Sequence, residues 1–187
     1  IQAISDKFEE HAAETDPEKK AAIYAQIDSL SQEASKYAIA NEYDKICSIL
    51  GATGTNAWTS YEETVYVNEI PSNEIDRWAK VESERFQNLV LRLFHTELET
   101  IFEEFNMNQD RDGRRLSNTI FATLFKNHPY GTAIIGKGEH LKNPSMANVM
   151  KFKANYYVPN NMAICMSGDL DFEETIKIID KYWGKME

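Results

Sequence analysis

The periodicity of the apolar residues changes at residues 51–71, and this change limits the folds open to the chain. In residues 16–38, apolar side chains recur every three or four positions, which is typical of an amphipathic helix. Residues 64–68 instead alternate, with Val65 and Val67 opposite more polar neighbours. Alternation of this kind predicts strands, and we expect two of them joined by a turn near residues 60–62.

Most of the remaining chain has helical patterning. Asp16 is a good N-cap and Pro17 suits the first helical position, and Asp171 and Glu174 have the spacing of a capping box. We expect one further strand, short and buried, at NMAICMSGD (161–169). Helices are expected at 16–38, 42–50, 72–88, 89–108, 114–136 with a break at 128–131, 142–157 and 171–184. Strands mixed with helix pairs predict an α+β layer fold.

Composition excludes several classes of function. The 187 residues suffice for one domain with a sizeable core. A net charge of −10 argues against nucleic acid as a partner, because phosphate contacts need clustered Lys and Arg. No apolar run approaches the length of a membrane span, and no segment has the pattern of a signal peptide. Because the chain starts at Ile1 and not at Met, we expect it to be a processed or excised piece.

The stretch FHTELETIFEEFNMN (94–108) contains four glutamates. Helix geometry divides them by the face of the helix on which each lies. Glu97 and Glu104 are seven residues apart, so they stand two turns apart on nearly one line, beside the apolar arc of the helix. Glu99 and Glu103 point away from that arc. The pair could hold a metal or a proton, or both carboxylates could simply reach water at the rim of the helix.

The histidines do not decide between these alternatives. His11, His95, His128 and His140 are scattered, and neither H-E-x-x-H nor H-x-x-E-H occurs. A zinc site would need further His, Cys or carboxylate ligands. The residues by themselves therefore indicate a soluble α+β domain with a notable pair of carboxylates.

Five motifs in order resemble a known family. They are GTNAWTSYEETVYVNEIP (54–71), ELETIFEEFNMN (97–108), HPYG (128–131), GEHLKNPS (138–145) and YYVPNNMAICMSGDLD (156–171). Together they resemble the pitrilysin-type (inverzincin) zinc metallopeptidases, whose members include insulin-degrading enzyme and the mitochondrial processing peptidase. The resemblance covers residues 42–187, as part of a single peptidase-type domain, and residues 1–41 look like a helical insertion.

The resemblance implies a fold, an activity and a cofactor. The fold would be a two-layer sandwich, a mixed and mostly antiparallel sheet with helices on one face, incomplete at its N-terminus. The activity would be zinc-dependent hydrolysis of peptide bonds. Glu104 would be a zinc ligand, and Glu97 would support a ligating histidine from outside the first coordination sphere. Asn56, Ala57, Trp58 and Thr59 would pair with an extended peptide substrate, although Trp58 stands where the family usually has Phe.

The zinc-binding H-x-x-E-H helix of the family is missing from this chain. Either the chain is a fragment cut after that motif, or it comes from a member that lost the site. The matching Glu97 and Glu104 favour the fragment, which would be inactive by itself. The implied partners are a peptide or protein substrate and a homologous half. Resemblance to bacterial members also suggests a periplasmic or secreted location.

Two other hypotheses remain open at this point. The chain could be a non-catalytic structural or substrate-holding half of a pitrilysin-like assembly, because such halves lack the zinc motif. It could also be an unrelated acidic α+β binding domain. An intact H-x-x-E-H upstream of Ile1 would favour the enzyme.

Overall fold

The computed structural model describes residues 1–142 and 144–186, and 64% of the chain it describes is helical. Short 3₁₀ turns lie at Ser72–Glu74, Pro129–Gly131 and Pro159–Asn161. The strands are β1 (Asn56–Thr59) and β2 (Thr64–Val67). The helices are α1 (Gln2–Ala13), α2 (Pro17–Ser35), α3 (Glu42–Ile49), α4 (Ile75–Gln87), α5 (Phe94–Gln109), α6 (Asp112–Leu124), α7 (Gly138–Lys142), α8 (Met146–Tyr156) and α9 (Phe172–Trp183).

The predicted two-layer α+β sandwich is wrong for this chain. Within the described residues, β1 and β2 form a two-stranded sheet and there is no larger mixed sheet. The stretch 161–169, predicted to be a buried strand, forms no strand. A strand needs a neighbour to accept its backbone hydrogen bonds, whereas a helix satisfies those groups within its own segment. Strand-like patterning without a partner strand therefore does not produce a sheet.

Local signals did locate the hairpin and most of the described helices, although α7 lies almost wholly outside the predicted helical segments. The Asp16 carboxylate accepts hydrogen bonds from the backbone N–H of Glu18 at 2.9 Å and of Lys19 at 3.2 Å, so it caps α2 as predicted. Asp171 caps α9 in the same way, through the N–H of Glu174 at 2.8 Å. Helix α1, which falls within the helical insertion expected at residues 1–41, has no side-chain cap among the described residues.

The chain divides into two compact units. Unit 1 contains residues 1–38, 58–64 and 91–146, and unit 2 contains residues 39–57, 65–90 and 147–187. The assignment of residues 1–41 to an insertion and 42–187 to one peptidase-type domain stays a prediction. Among the described helices, none combines the length and the apolar character that crossing a membrane would require.

The core of unit 1 joins α1 and α2 to α5. Its buried members are Ile4, Phe8, Ile23, Ile27 and Met146. The ring of Phe8 meets the ring of Phe94 on α5 edge to face, with centroids 5.5 Å apart. Leu91, Phe94 and Leu98 pack against this core, so the apolar face of α5 is oriented inwards.

Unit 2 is built around the packing of α4 against α9. Gln87 near the end of α4 donates through Nε2 to the carbonyl oxygen of Tyr182 at 3.3 Å. Lys181 Nζ lies 2.9 Å from Asp76 Oδ1. The carboxylate of Glu82, 2% exposed, accepts from Arg85 Nη2 and from the Tyr43 hydroxyl, both at 2.6 Å. These polar contacts link α3, α4 and α9.

Candidate functional site

Helix α5 carries the two glutamates that the sequence singled out. Its inner face is apolar, with Phe94, Leu98, Phe102 and Phe105 all partly buried. Glu97 lies in the first turn, where a carboxylate is favoured by the positive end of the helix dipole. Glu104 lies two turns further along the same helix. Both residues are thus on one rigid element, at the spacing the sequence predicts.

Solvent exposure does not distinguish Glu97 and Glu104 from the other two glutamates of α5. Glu97, Glu99, Glu103 and Glu104 are all exposed. Within the described part of the chain, the carboxylates of Glu97 and Glu104 have no ion-pair or hydrogen-bond partner. Glu99 differs, because it accepts a hydrogen bond of 3.4 Å from the Tyr24 hydroxyl.

One histidine has a position that sequence reasoning missed. His95 on α5 is 5% exposed, and its Nε2 lies 3.8 Å from Glu99 and 4.0 Å from Asp28 on α2. The Tyr24 ring stands edge-on to the imidazole, with centroids 5.3 Å apart. The sequence did contain one signal for this position: His95 and Glu99 are four residues apart, a spacing that places them on the same helix face.

The described residues do not supply a complete zinc site. Residues 1–142 and 144–186 contain no group of three His, Cys, Asp or Glu side chains arranged to hold a metal ion. A zinc ion needs about four ligands, and Glu104 offers one carboxylate. The two histidine ligands that the family resemblance implies therefore have no counterpart beside Glu104 in this part of the chain.

The predicted substrate strand is a strand with an open edge. Residues Asn56–Thr59 form β1, whose four residues are all exposed, and in the described sheet β1 pairs with β2 alone. Its other edge can thus accept an extended chain. The N–H of Ala57 is engaged by the Asn56 side chain at 2.8 Å, so that donor must be released before a peptide could use it. Trp58 is 49% exposed.

Ser60 stabilises the turn that joins β1 to β2. The N–H of Ser60 donates to the carbonyl of Glu63 at 2.8 Å, and Ser60 Oγ accepts from the N–H groups of Glu62 and Glu63 at 3.3 Å. Side-chain acceptance of this kind stabilises a turn locally. The turn that the sequence predicted near 60–62 is therefore present.

Comparison with known proteins finds sequence similarity to zinc proteases and to mitochondrial-processing peptidase subunits. A family model described as "Peptidase M16 inactive domain" matches residues 145–187. The zinc protease PqqE of Helicobacter pylori is 25% identical over 171 residues, which is 90% of this chain and 38% of that protein. A probable mitochondrial-processing peptidase subunit beta of Schizosaccharomyces pombe is 25% identical, over 71% of this chain and 29% of its own length.

A solved structure shows the same similarity to proteases. The crystal structure of a protease from Helicobacter pylori superposes with a TM-score of 0.73 at 26% identity. That match covers 78% of this chain and 36% of the other. The chain thus spans about a third of the length of the relatives it matches.

Proposed function

We propose that this chain, a relative of the pitrilysin-type (M16) zinc peptidases, is part of a zinc-dependent endopeptidase and is inactive by itself. The observation that carries the proposal is the placement of Glu97 and Glu104 two turns apart on helix α5. The family resemblance requires that spacing, and the zinc-protease relatives support the parent activity.

Each site residue has a proposed role. Glu104 would contribute one carboxylate to a zinc site whose other ligands come from residues outside this chain. Glu97 would hold one of those ligands in place through a hydrogen bond. Both carboxylates are exposed and without partners in the described residues, so both are free to take these roles.

The proposed substrate is an extended peptide or protein segment. It would add as a strand to β1, using backbone groups of Asn56, Ala57, Trp58 and Thr59. The exposure of all four residues supports this proposal. A homologous half is the proposed partner, and a periplasmic or secreted location is proposed from the family resemblance.

Calorimetric zinc titration of this chain tests the claim that it is inactive by itself. We expect no tight stoichiometric site, because a single carboxylate holds zinc only weakly. The matched control is Glu104→Gln, which should titrate like the unsubstituted chain. A tight one-to-one site, or peptide cleavage that a chelator blocks, would overturn the proposal.

A second candidate function is a non-catalytic half of such an assembly. The match of residues 145–187 to an inactive M16 domain favours it. Peptidase assays on the longer protein that contains these residues separate the two functions. Chelator-sensitive cleavage that Glu104→Gln abolishes supports the enzyme. Cleavage that survives Glu104→Gln, or no cleavage, supports the non-catalytic half.

A further inference from the structure

The HPYG motif (128–131) forms a tight turn directly after α6. His128 Nδ1 accepts a hydrogen bond from the N–H of Tyr130 at 3.3 Å, and the N–H of Gly131 donates to the His128 carbonyl at 3.0 Å. A Cβ atom on Gly131 would lie 2.4 Å from the carbonyl oxygen of Phe125. Glycine is therefore required for the turn to fold back on the end of α6.

This turn brings Tyr130 to the tip of the β1–β2 hairpin. The Tyr130 hydroxyl donates a hydrogen bond to the Glu62 carboxylate. The Tyr130 ring contacts the Tyr61 ring, with centroids 4.7 Å apart. Tyr61 in turn stacks on Phe121 of α6, at 6.2 Å and an interplanar angle of 14°. All of these residues belong to unit 1.

The hydrogen bond between Tyr130 and Glu62 has the chemistry of a strong contact. A hydrogen bond to a carboxylate is stronger than one between neutral groups. The hydrogen bond to Glu62, followed by burial and the negative charge of Glu62, raises the pKa of the Tyr130 phenol. The phenol thus remains a donor throughout the neutral pH range.

We propose that Tyr130 and Glu62 anchor the hairpin turn to the HPYG turn and thereby position Trp58 and Thr59 to receive a peptide. The anchor acts on the segment 58–64, which Thr59 and Thr64 already connect through hydroxyls 3.4 Å apart. Tyr130 and Glu62 are positioning residues, since the peptide would meet β1 and not them. The receiving role rests on the proposed function.

Hydrogen exchange of the hairpin amides tests the anchor without any ligand. Tyr130→Phe removes the hydroxyl and keeps the ring, so exchange at residues 59–64 should accelerate about fivefold or more. Exchange in α2 should stay unchanged, which shows that the variant folds. The matched control is Tyr37→Phe, because Tyr37 is 81% exposed. Equal hairpin exchange in both variants would overturn the anchor.

Substitutions at Glu62 test the other half of the contact. Glu62→Ala should accelerate exchange as much as Tyr130→Phe does, and combining the two should add little, because both remove one interaction. Glu62→Gln keeps an acceptor and should restore part of the protection. Glu63→Ala is the neighbouring control. Full additivity of Glu62→Ala and Tyr130→Phe would contradict a direct contact.

Binding of a fluorescein-labelled casein peptide tests the positioning role. Tyr130→Phe should weaken binding by about the factor by which exchange accelerates, and Tyr37→Phe should not. Faster exchange with unchanged peptide binding would refute positioning. If the unsubstituted chain binds no peptide, the proposed substrate strand fails, while the exchange result still decides whether the anchor exists.

Discussion

The hydroxyl of Tyr24 on α2 donates a hydrogen bond of 3.4 Å to Glu99 on α5. Burial, followed by the negative charge of Glu99, raises the pKa of that phenol. Glu99 therefore contributes to packing between two helices, whereas Glu97 and Glu104 keep carboxylates without a partner in the described residues. The glutamates of one helix thus have separate structural and candidate functional roles.

The first prediction concerns zinc in a longer protein that supplies the H-x-x-E-H helix. Glu104→Gln should lose most of the zinc, because a neutral amide replaces an anionic ligand. Glu97→Gln should weaken zinc binding by about 10- to 100-fold, as expected for a residue that orients a ligand. Metal analysis of the purified variants measures both effects.

Glu103→Gln and Glu99→Gln are the controls on the same helix. Both should leave zinc and peptidase activity nearly unchanged, since the proposed register assigns neither residue to the zinc site and an amide at position 99 can still accept the hydrogen bond from Tyr24. Equal losses at all four positions, or a larger loss at Glu103 than at Glu104, would show that the assumed register is mistaken.

A second prediction concerns the core of unit 1. Phe8 is 2% exposed and meets Phe94 edge to face. Phe8→Ala should lower the free energy of unfolding by about 4 kcal/mol, through lost burial and the cavity left behind. Phe172→Ala makes the same change at a side chain that is 72% exposed and should cost about 0.5 kcal/mol or less. Urea unfolding of both variants compares them, and similar costs would refute this assignment of the core.

A third prediction concerns the buried carboxylate of unit 2. Glu82→Ala would leave Arg85 and Tyr43 without the acceptor that both use at 2.6 Å. Removing one member of a buried ion pair costs about 3 kcal/mol when the other stays partly shielded from water. Glu84→Ala, exposed on the same helix, serves as the control in urea unfolding. A Glu82→Ala cost no larger than the control's would mean that water replaces the carboxylate readily.

A fourth prediction concerns acidification. Burial, with a smaller contribution from the positive charge of Lys20, lowers the pKa of His11 below its ordinary value of 6.5. Just below pH 6.5, the unfolded chain therefore binds more protons than the folded chain. The stability that comes from keeping His11 neutral in the folded state is present above pH 6.5, and it is lost as the pH falls through the lowered pKa.

Thermal unfolding between about pH 7.5 and pH 5.5 checks this sign. The midpoint should fall on acidification, and His11→Phe, which keeps an aromatic ring but cannot titrate, should reduce that fall. His140→Gln is the control, since the His140 side chain is 72% exposed. A midpoint that rises on acidification, or an unchanged fall in His11→Phe, would contradict the role of His11.

Sequence and structure agree most closely where the interactions are local. Asp16 and Asp171 cap their helices through N–H groups two or three residues away, and the Ser60 turn closes within four residues. Such contacts depend on neighbours in the chain, so residue type and spacing reveal them. The spacing of Glu97 and Glu104 on α5 was predictable for the same reason.

Contacts between segments that are distant in the chain could not be predicted from residue type and spacing. The expected sheet is missing: the segment 161–169 forms no strand and has no partner strand among the described residues, and strand pairing depends on another segment. Burial of His95 required α2 to cover α5, and the anchor of Tyr130 to Glu62 joins residues 68 positions apart. The sequence by itself determined most of the helices, the hairpin and the placement of Glu97 and Glu104 on one helix, because backbone hydrogen bonds and periodicity act locally. The tertiary structure alone decided which side chains became buried and which strand edges stayed open, because those outcomes depend on how distant segments pack.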